Sequence, residues 1–347
     1  MPGRPITFAV PGDLRTRTGG YLYDAEVIAA LSAIGREVVH LALPDGFPDA
    51  CHATRRAAVA RLAGVPDAHA LVVDGLALGA LGRDGLEVLR APLVAMVHHP
   101  LALESGIDPA RRQALAASEA AALAHARAVI VPSPHTARTL TEGFRVPAAR
   151  LHVAEPGHAK TPCARRPATP PLILSVGSLV PRKGHDVLID ALAAVADLPW
   201  QAVIAGGMSD PACAQALRAQ CAARKLSGRV TFAGSVSDAT LADLFAQAHV
   251  FALATRYEGY GMVFAEALAN GVPIVSCRAG AVPDTVPRAA GRLVPPDDAS
   301  AFAAALRGVL TDPAEHARLA GAAAAAGAAL PGWADTAAVF ARVADAL

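Results

Sequence analysis

The sequence predicts an α/β protein made of two doubly wound domains, each built around a parallel sheet. Short apolar runs alternate with helix-length amphipathic stretches along the chain, which is typical of parallel α/β domains. This alternation stops at the proline-rich residues 159–171 and then begins again. Since 347 residues are enough for two domains of ordinary size, we expect a linker at this point and one domain on either side.

The first half of the chain contains five predicted strands. They span residues 6–10, 37–41, 70–73, 93–97 and 128–131. Because these runs lack the polar/apolar alternation of a half-exposed strand, we expect them to be buried on both faces of a parallel sheet. Amphipathic stretches at residues 24–34 and 109–127 predict helices between them. Residues 1–160 are therefore predicted to form the first domain.

The second half repeats this organisation, although it shows no internal sequence repeat. Strands are predicted at residues 172–176, 201–205, 230–233, 250–254 and 273–276, and helices at residues 185–196, 211–225 and 238–247. We expect residues 170–330 to form the second domain. One more amphipathic helix, residues 333–347, follows Pro331 and Gly332.

Composition excludes several classes of protein. The chain has 31 basic and 30 acidic residues, and a net charge of +1 argues against a protein that binds nucleic acid through bulk positive charge. No run of about 18 uncharged apolar residues is present, and the N-terminus lacks the features of a secretory signal. The five cysteines include no Cys-x-x-Cys pair, which fits neither a disulfide framework nor a zinc site. We therefore expect a cytoplasmic protein.

Peripheral contact with a membrane is a weaker prediction. Residues 52–62 form a short basic helix candidate that could touch an anionic lipid surface at the inner face of the membrane. Its charge is only three arginines and its apolar face is mostly alanine, which argues against strong docking.

Two candidate clusters follow strands of the first domain, where open α/β sheets bind ligands. Gly19 and Gly20 precede the first predicted helix, and glycines there let backbone N–H groups approach an anion; a plain turn is the alternative. His98 and His99 follow the fourth strand. His98 could bind a sugar or a phosphate or move a proton, and a satisfied loop histidine is the alternative.

A third cluster follows the first strand of the second domain. Arg182 and Lys183 lie just before a predicted helix. A helix N-terminus favours negative charge, so two cations at this place cost stability unless a ligand's negative charge offsets them. The cluster therefore indicates a phosphate site, with a solvated basic loop as the alternative.

The most specific cluster follows the fourth strand of the second domain. Glu258 comes after the strand, and Glu266 lies eight positions later inside a predicted helix. Eight positions correspond to about two helical turns, so we expect both carboxylates on a similar face. Two carboxylates facing a cleft suit the vicinal hydroxyls of sugars and of ribose. Between them lie Gly259, Tyr260, Gly261 and Met262, with exposed backbone donors expected at the helix entrance.

Together these clusters resemble the retaining glycosyltransferases of family 4. Such enzymes have the GT-B architecture, in which two Rossmann-like domains with parallel sheets face each other across a cleft and a C-terminal helix crosses back to the N-terminal domain. The resemblance is closest over residues 172–310, including residues 291–295, and looser in the first half. It implies transfer of a sugar, with retention, from a nucleotide-diphosphate sugar to a hydroxyl acceptor that is a glycan, a lipid-linked compound or a small molecule.

The resemblance also implies a division of roles between the domains. Residues 1–160 together with the helix at residues 331–347 would form the acceptor side, and residues 170–330 would bind the donor. It implies His98, Glu258 and Lys183 as catalytic residues: His98 beside the transferred sugar, Glu258 on the donor sugar and Lys183 on the diphosphate. The donor-binding set is Gly20, Arg182, Lys183, Gly259, Tyr260, Gly261, Met262 and Glu266, with Glu266 on the ribose, Gly20 in a loop over the diphosphate and residues 232–236 near the base.

Two departures bear on the phosphate geometry. Family members often carry Arg where this chain has Ser178, and Arg182 would have to supply the missing charge from another direction. The common Gly-Gly after the fifth strand is Ala279-Gly280-Ala281 here. With no Asp-x-Asp in the sequence, we expect neither a metal nor a cofactor besides the nucleotide-sugar co-substrate.

Three alternatives remain at this point. One is a nucleotide-sugar epimerase or hydrolase on the same fold, and another is a non-catalytic nucleotide-sugar binding protein. A nicotinamide-dependent oxidoreductase is disfavoured because the sequence has no Gly-x-Gly-x-x-Gly.

Overall fold

The structure is a computed structural model and consists of two compact α/β units. It describes residues 3–16, 18–104, 106–158 and 164–347, without the side chains of residues 83 and 84. Unit 1 comprises Met1–Gly157 together with Pro331–Leu347, and unit 2 comprises His158–Leu330. Each unit contains one parallel sheet flanked by helices.

The sheet of unit 1 has six strands in the order β2-β1-β3-β4-β5-β6. The strands are β1 (Ile6–Pro11), β2 (Val38–Leu43), β3 (Ala70–Asp74), β4 (Leu93–Met96), β5 (Ala128–Val131) and β6 (Leu151–Val153). The helices are α1 (Gly19–Ala33), α2 (His52–Ala63), α3 (Gly75–Glu87), α4 (Pro109–His125) and α5 (Pro134–Phe144). Helices between parallel strands give the doubly wound arrangement that the apolar runs predict.

Unit 2 has a second six-stranded parallel sheet, in the order β12-β11-β10-β7-β8-β9. Its strands are β7 (Leu172–Val176), β8 (Gln201–Ala205), β9 (Val230–Gly234), β10 (Ala248–Leu253), β11 (Ile274–Cys277) and β12 (Gly291–Val294). Its helices are α6 (His185–Ala194), α7 (Pro211–Ala223), α8 (Asp238–Gln247), α9 (Met262–Ala269), α10 (Val282–Thr285), α11 (Ala299–Thr311) and α12 (Pro313–Ala328).

The last helix, α13 (Trp333–Asp345), belongs to unit 1. The ring of Phe340 lies 5.7 Å from that of Phe8 in β1, and the ring of Trp333 lies 5.7 Å from that of Tyr23 in α1. These aromatic contacts return the end of the chain to the first unit, as the resemblance implies.

Apolar side chains cover both faces of the central strands. In unit 1, β1 and β3 are buried along their whole length. In unit 2, Trp200 and Phe302 belong to one buried cluster, while Phe251 and Phe264 belong to another. The prediction of strands buried on both faces is confirmed for these positions.

Strand β2 contradicts that prediction. It lies at the edge of its sheet, and the side chain of Val39 is 46% exposed. An edge strand has a neighbour on one side only, and the apolar pattern does not distinguish it from a central strand. Each sheet also has a sixth strand that was not predicted: β6 has only three residues, and β12 begins with Gly291 and Arg292, which interrupt the apolar pattern.

Part of the predicted linker belongs to unit 2. Residues 159–163 lie outside the described residues. The residues that follow pair with the end of α8: Arg166 N donates to the carbonyl oxygen of Ala246 at 2.8 Å, and Ala168 N donates to that of Gln247 at 3.0 Å. Since this segment is hydrogen-bonded to the unit, its proline-rich composition does not mean a free linker here.

The basic stretch at residues 52–62 is helical, as predicted, and forms α2. Its Ala58 and Leu62 are buried, so the apolar side chains on this helix pack inside unit 1. Contact of α2 with a membrane stays a prediction. Among the helices of the described chain, none combines the length and the apolar character that crossing a membrane would take.

Candidate active site

The loop after β7 carries the two predicted cations at the carboxyl edge of the unit 2 sheet. Pro181–Lys183 form a single 3-10 turn, and Gly184 follows with a φ of +62°. A Cβ atom on Gly184 would lie 1.9 Å from the carbonyl oxygen of Ala254, so the close contact between this loop and the end of β10 requires glycine. Helix α6 begins directly afterwards at His185.

Lys183 and Arg182 both reach Glu258. The Nζ atom of Lys183 donates to Oε1 of Glu258 at 2.7 Å, and Nη1 of Arg182 lies 3.5 Å from Oε2. Thr255 Oγ1 also donates to Oε1, at 2.9 Å. Burial opposes the charge of Glu258, but Lys183 and Arg182 outweigh it and hold the pKa of this carboxyl below its usual value. Glu258 is therefore a buried, ionised carboxylate.

Arg256 holds the cationic loop in place. Its guanidinium donates two hydrogen bonds to Asp186, at 3.0 and 2.7 Å, and one to Asp297, at 2.7 Å. Its backbone N–H donates to the carbonyl oxygen of Arg182 at 2.8 Å. Arg256 is not among the predicted site residues, because its partners lie 70 and 41 positions away and no local spacing reveals them.

The segment from Gly259 to Met262 connects Glu258 to α9. Tyr260 is 7% exposed, and its carbonyl oxygen accepts a 2.7 Å hydrogen bond from Thr285 Oγ1. Gly261 precedes the helix with a φ of +86°, and a Cβ atom there would lie 2.5 Å from the Phe264 ring. Local packing thus explains a glycine at position 261. Contact of this segment with a donor stays a prediction.

The departure at Ala279-Gly280-Ala281 keeps the one glycine that the loop needs. Gly280 has a φ of +54°, and its Cβ would lie 2.3 Å from the carbonyl oxygen of Glu258. Ala281 N donates to the same oxygen at 2.9 Å. The loop after β11 therefore fixes the backbone of Glu258, and a methyl group at position 281 does not interfere with this.

Glu266 lies on α9, one turn after Met262. The prediction that helical periodicity relates it to Glu258 is wrong, because Glu258 lies in the loop before the helix. The Oε2 atom of Glu266 is inaccessible and has no hydrogen-bond partner in the described part of the chain. Burial, with a smaller contribution from Asp238, raises the pKa of Glu266 to about 7.

In unit 1, Gly20 and His98 are neighbours. Gly19 and Gly20 lie in the first turn of α1 and not before it, since Thr18 is the N-cap and accepts from Tyr21 N. The predicted start near Asp24 is therefore too late. A Cβ atom on Gly20 would lie 3.3 Å from Cδ2 of His98, so the glycine leaves room for the imidazole.

His98 is bound by two buried carboxylates that the sequence analysis missed. Its Nε2 lies 3.1 Å from Oδ1 of Asp24 and 3.3 Å from Oδ2 of Asp74. Asp74 ends β3 and caps α3, where its Oδ1 accepts from Leu76 N at 2.8 Å. Its position at a strand end was a usable signal, but Asp24 on α1 offered none.

The segment predicted near the base, residues 232–236, takes no part in these contacts. Phe232 in β9 lies under the guanidinium of Arg218, 5.0 Å from its ring centroid. Within the described residues, the side chains brought together in unit 2 are those of Arg182, Lys183 and Glu258.

One group among the described residues has donor atoms close enough to hold a metal ion. The group consists of Asp24, Asp74 and His98, whose donor atoms lie within 4.8 Å of one another. The same distances are hydrogen-bond distances between a ring N–H and two carboxylates, so they do not by themselves define a metal site.

Comparisons with known proteins identify the family. The family described as "Glycosyl transferase 4-like domain" matches residues 13–157, and "Glycosyl transferases group 1" matches residues 163–326. A D-inositol 3-phosphate glycosyltransferase of Xylanimonas cellulosilytica is 30% identical over 274 residues, which are 72% of this chain and 65% of that protein. An MMP alpha-(1->4)-mannosyltransferase of Mycolicibacterium hassiacum is 30% identical over 292 residues, 79% of this chain and 69% of that protein.

Solved structures share the fold. Sucrose-phosphate synthase from Thermosynechococcus elongatus superposes with a TM-score of 0.81 at 23% identity, covering 97% of this chain and 98% of that one. Two parallel α/β units with a returning C-terminal helix define the GT-B class of proteins. Within that class, the chain belongs to the family of group 1 and family 4-like glycosyltransferases. It spans about two thirds of the length of the two relatives above.

Proposed function

We propose that the protein is a retaining, metal-independent hexosyltransferase, which moves a sugar from a nucleotide-diphosphate sugar to a hydroxyl acceptor. The observation that carries this proposal is the 2.7 Å contact of Lys183 Nζ with the buried Glu258 at the carboxyl edge of the unit 2 sheet. Parallel α/β sheets bind ligands at that edge. An ammonium and an ionised carboxylate side by side provide one group for a phosphate and one for sugar hydroxyls.

Lys183 and Arg182 would stabilise the departing diphosphate. An ammonium has three N–H donors, and Lys183 uses one of them on Glu258, which leaves two for phosphate oxygens. Arg182 lies in the same loop, so it can replace the arginine that is missing at Ser178. One such charged contact contributes about 2–4 kcal/mol to a transition state, or roughly two to three powers of ten in rate. These side chains supply the charge that a metal ion provides in other enzymes.

Glu258 and Glu266 would orient the donor. Glu258, with the backbone of residues 259–262, would bind the sugar, and Glu266 would accept from the ribose hydroxyls. The inaccessible Oε2 of Glu266, which has no partner among the described residues, supports this role, because a buried carboxyl oxygen normally has a hydrogen-bond donor. Gly20 and His98 are proposed to act from unit 1, which would supply the acceptor side.

The acceptor is proposed to be a hydroxyl compound such as a glycan, a lipid-linked compound or a small molecule. The two relatives are named for an inositol phosphate acceptor and for mannosyl transfer. A hexosyl donor and a polyol-like acceptor are therefore the first compounds to assay. Retention would follow from attack on the same face as the leaving phosphate, which would help to deprotonate the acceptor.

The proposal is tested by a donor screen followed by an assay of variants. Thermal unfolding is measured with UDP-, GDP-, ADP- and TDP-sugars, and one nucleotide is expected to stabilise the protein by about 2.7 kcal/mol at a hundredfold excess over Kd. With that donor and an acceptor panel, we expect an α-linked product by NMR. Lys183→Ala and Glu258→Ala should each lower turnover at least about a hundredfold.

The control for these variants is Arg224→Ala, which removes an exposed ion pair with Asp190 in the same unit and should leave turnover unchanged. Near-wild-type turnover in both site variants would remove the site assignment. Free or isomerised sugar without acceptor would indicate a hydrolase or an epimerase. Tight donor binding without turnover would indicate a binding protein.

A further inference from the structure

Unit 1 contains a buried cluster of three side chains that the donor-binding residues do not explain. Asp24 comes from α1, Asp74 from the end of β3, and His98 follows β4. The side chains of Asp24 and Asp74 are 1% and 3% exposed, and that of His98 is 20% exposed. Strands β3 and β4 are neighbours, and α1 follows β1 on the other side of β3, so the three groups meet beside the ends of adjacent strands.

The hydrogen bonds of His98 use only one of its ring nitrogens. Nε2 lies within hydrogen-bond distance of both carboxylates, at 3.1 Å from Asp24 and 3.3 Å from Asp74. A carboxylate accepts and does not donate, so this nitrogen carries a proton, which it donates to Asp24 while Asp74 lies beside it at ion-pair distance. Among the described residues, Nδ1 has no partner, and it is not an enclosed atom. Nδ1 is therefore the nitrogen that can meet a ligand.

We propose that Asp24 and Asp74 are positioning residues, which hold His98 as an imidazolium whose Nδ1–H is a fixed, charged donor to an oxygen of the substrate. This inference rests on the proposed function for its substrate class, a nucleotide-sugar or its hydroxyl acceptor. In this state His98 stabilises negative charge on oxygen and does not act as the base that takes the acceptor's proton.

The charges around His98 support this state. The titratable groups that act on it are Asp24 and Asp74, and no cation among the described residues is recorded against it. The ring of Tyr23 packs edge-on against the imidazole while its hydroxyl donates to the carbonyl oxygen of Ala154, and the Tyr21 hydroxyl interacts with the two carboxylates. Burial opposes a charge on His98, but the two carboxylates outweigh it and raise the pKa of His98 to about 10. At neutral pH the ring is then doubly protonated.

The two carboxylates differ in how they are held. Asp74 accepts from Leu76 N at the N-terminus of α3, a position that favours negative charge. Asp24 has an inaccessible Oδ2 without a partner among the described residues, and burial raises its pKa to about 7. Asp24 is therefore partly protonated at neutral pH, which limits the net negative charge buried beside the ring.

Packing fixes the plane of the imidazole. The Tyr23 ring meets it edge-on, with the centroids 5.2 Å apart, and a Cβ on Gly20 would lie 3.3 Å from its Cδ2. A ring held by two carboxylates and packed against Tyr23 keeps the direction of Nδ1–H, and a donor that is already oriented needs little reorganisation when it meets its acceptor. The glycine at position 20 leaves room for the imidazole in this orientation.

The experiment reads the protonation of His98 directly in the full chain. The protein is labelled with ¹³C and ¹⁵N in histidine, His98→Gln assigns the signal, and spectra are recorded from pH 5 to pH 10. We expect both ring nitrogens of His98 to stay protonated from pH 6 to pH 8. Asp24→Asn and Asp74→Asn should each move its midpoint down by at least about one pH unit, a tenfold change in proton affinity.

The matched control is Glu104→Gln, which removes the partner of the adjacent His99 at 3.2 Å. It should leave the His98 signal unchanged. A wild-type His98 that titrates between pH 6 and 7 would overturn the proposal, whether or not any variant folds. Stoichiometric zinc or manganese in the purified protein, lost in Asp24→Asn, would overturn it in favour of a metal site.

A kinetic measurement connects the cluster to transfer. In Asp74→Asn, kcat/KM should fall as the pH rises through the lowered midpoint of His98, while the wild-type value shows no such step. An unchanged pH profile in this variant would contradict the positioning role. Absence of transfer by the wild type with any nucleotide-sugar would refute the proposed function instead, and the NMR result would stand by itself.

Discussion

At the scale of single residues, the two glutamates of unit 2 have opposite electrostatic environments. Glu258 is buried beside Lys183 and Arg182, and its pKa is lowered by them against the effect of burial. For Glu266 no cation among the described residues is recorded to offset burial, and its pKa is raised to about 7. Carboxyls with divergent pKa values in one region have different tasks. One is charged before any ligand arrives, and the other is poised to become charged.

We predict that Glu266→Gln stabilises the free protein and weakens donor binding. A carboxyl whose folded pKa lies above its unfolded value of 4.5 costs stability as the pH rises from about 4.5 to about 7. The amide has no such cost, so the unfolding free energy should rise by on the order of 1–3 kcal/mol at pH 8 and by little at pH 4.5. Thermal melts at both pH values measure this difference.

The same variant should remove a pH dependence of binding. Wild-type affinity for the nucleotide found in the donor screen should increase as the pH rises through about 7, since a carboxylate accepts from ribose hydroxyls better than a carboxylic acid does. Asp238→Asn is the control, because it removes the second cause of the shift and should move the step to lower pH. A pH-independent wild-type affinity would contradict this role of Glu266.

At the scale of elements, close backbone contacts at glycines decide where the loops of unit 2 sit. Gly184 brings the cationic loop against Ala254, and Gly280 brings the loop after β11 against Glu258. Both have positive φ, which excludes most side chains for a second reason. Close contacts between the backbones of neighbouring loops thus shape the edge of the sheet as much as side chains do.

We predict that Gly280→Ala unfolds at lower temperature and loses transfer activity. The added Cβ would lie 2.3 Å from the carbonyl oxygen of Glu258 at a φ of +54°, so the Glu258 loop has to move. The strain and the lost hydrogen bond from Ala281 should cost about 1–3 kcal/mol. Gly228→Ala is the control, since its Cβ meets nothing within 4 Å. Equal urea denaturation curves for the two variants would contradict this reading.

How much of each element the sequence could predict depended on its length and composition. Apolar runs of five residues and capped amphipathic helices such as α8 were found close to their observed bounds. Helix α3 was missed because its glycines at positions 75, 79, 82 and 85 lower helix propensity, while the contacts that stabilise it come from other elements.

Site residues that directly follow a strand could be predicted from the sequence, whereas contacts between residues distant in sequence could not. Lys183 and Glu258 could be singled out because each lies just after a predicted strand. Their direct contact, the Arg256 pairing and the Asp24–His98 pair join residues 41 to 75 positions apart. Such partners are chosen by the three-dimensional packing, which a single sequence does not display.

At the scale of the whole molecule, buried histidines couple stability to pH. In unit 2, burial lowers the pKa values of His158, His185 and His249 to about 4 each. In the unfolded chain these histidines bind protons below about pH 6.5, whereas in the folded protein they stay neutral down to about pH 4. The free energy of unfolding is therefore unaffected by them above about pH 6.5 and falls as the pH is lowered towards 4. His98 in unit 1 has the opposite shift, and its contribution is lost as the pH rises from about 6.5 to about 10.

We predict that acid unfolds unit 2 before unit 1. The chain has two tryptophans, Trp200 in unit 2 and Trp333 in unit 1, so Trp333→Phe and Trp200→Phe give one fluorescent reporter for each unit. On lowering the pH from 7 to 4, the Trp200 signal should change at the higher pH. Coincident transitions of the two reporters would show that the histidines do not set the order of unfolding.

The placement of α13 has a consequence for biosynthesis. Thr336 Oγ1 donates to the carbonyl oxygen of Glu155 at 2.7 Å, and Arg36 binds Asp345, so unit 1 is completed by residues that are translated after the whole of unit 2. Unit 2 is one uninterrupted stretch, and all of it emerges earlier. A nascent chain folds its domains as their residues become available. Unit 1 is thus translated first but completes its folding after unit 2. Until α13 has been translated and packs on unit 1, Phe8 and Tyr23 are exposed to chaperones and proteases.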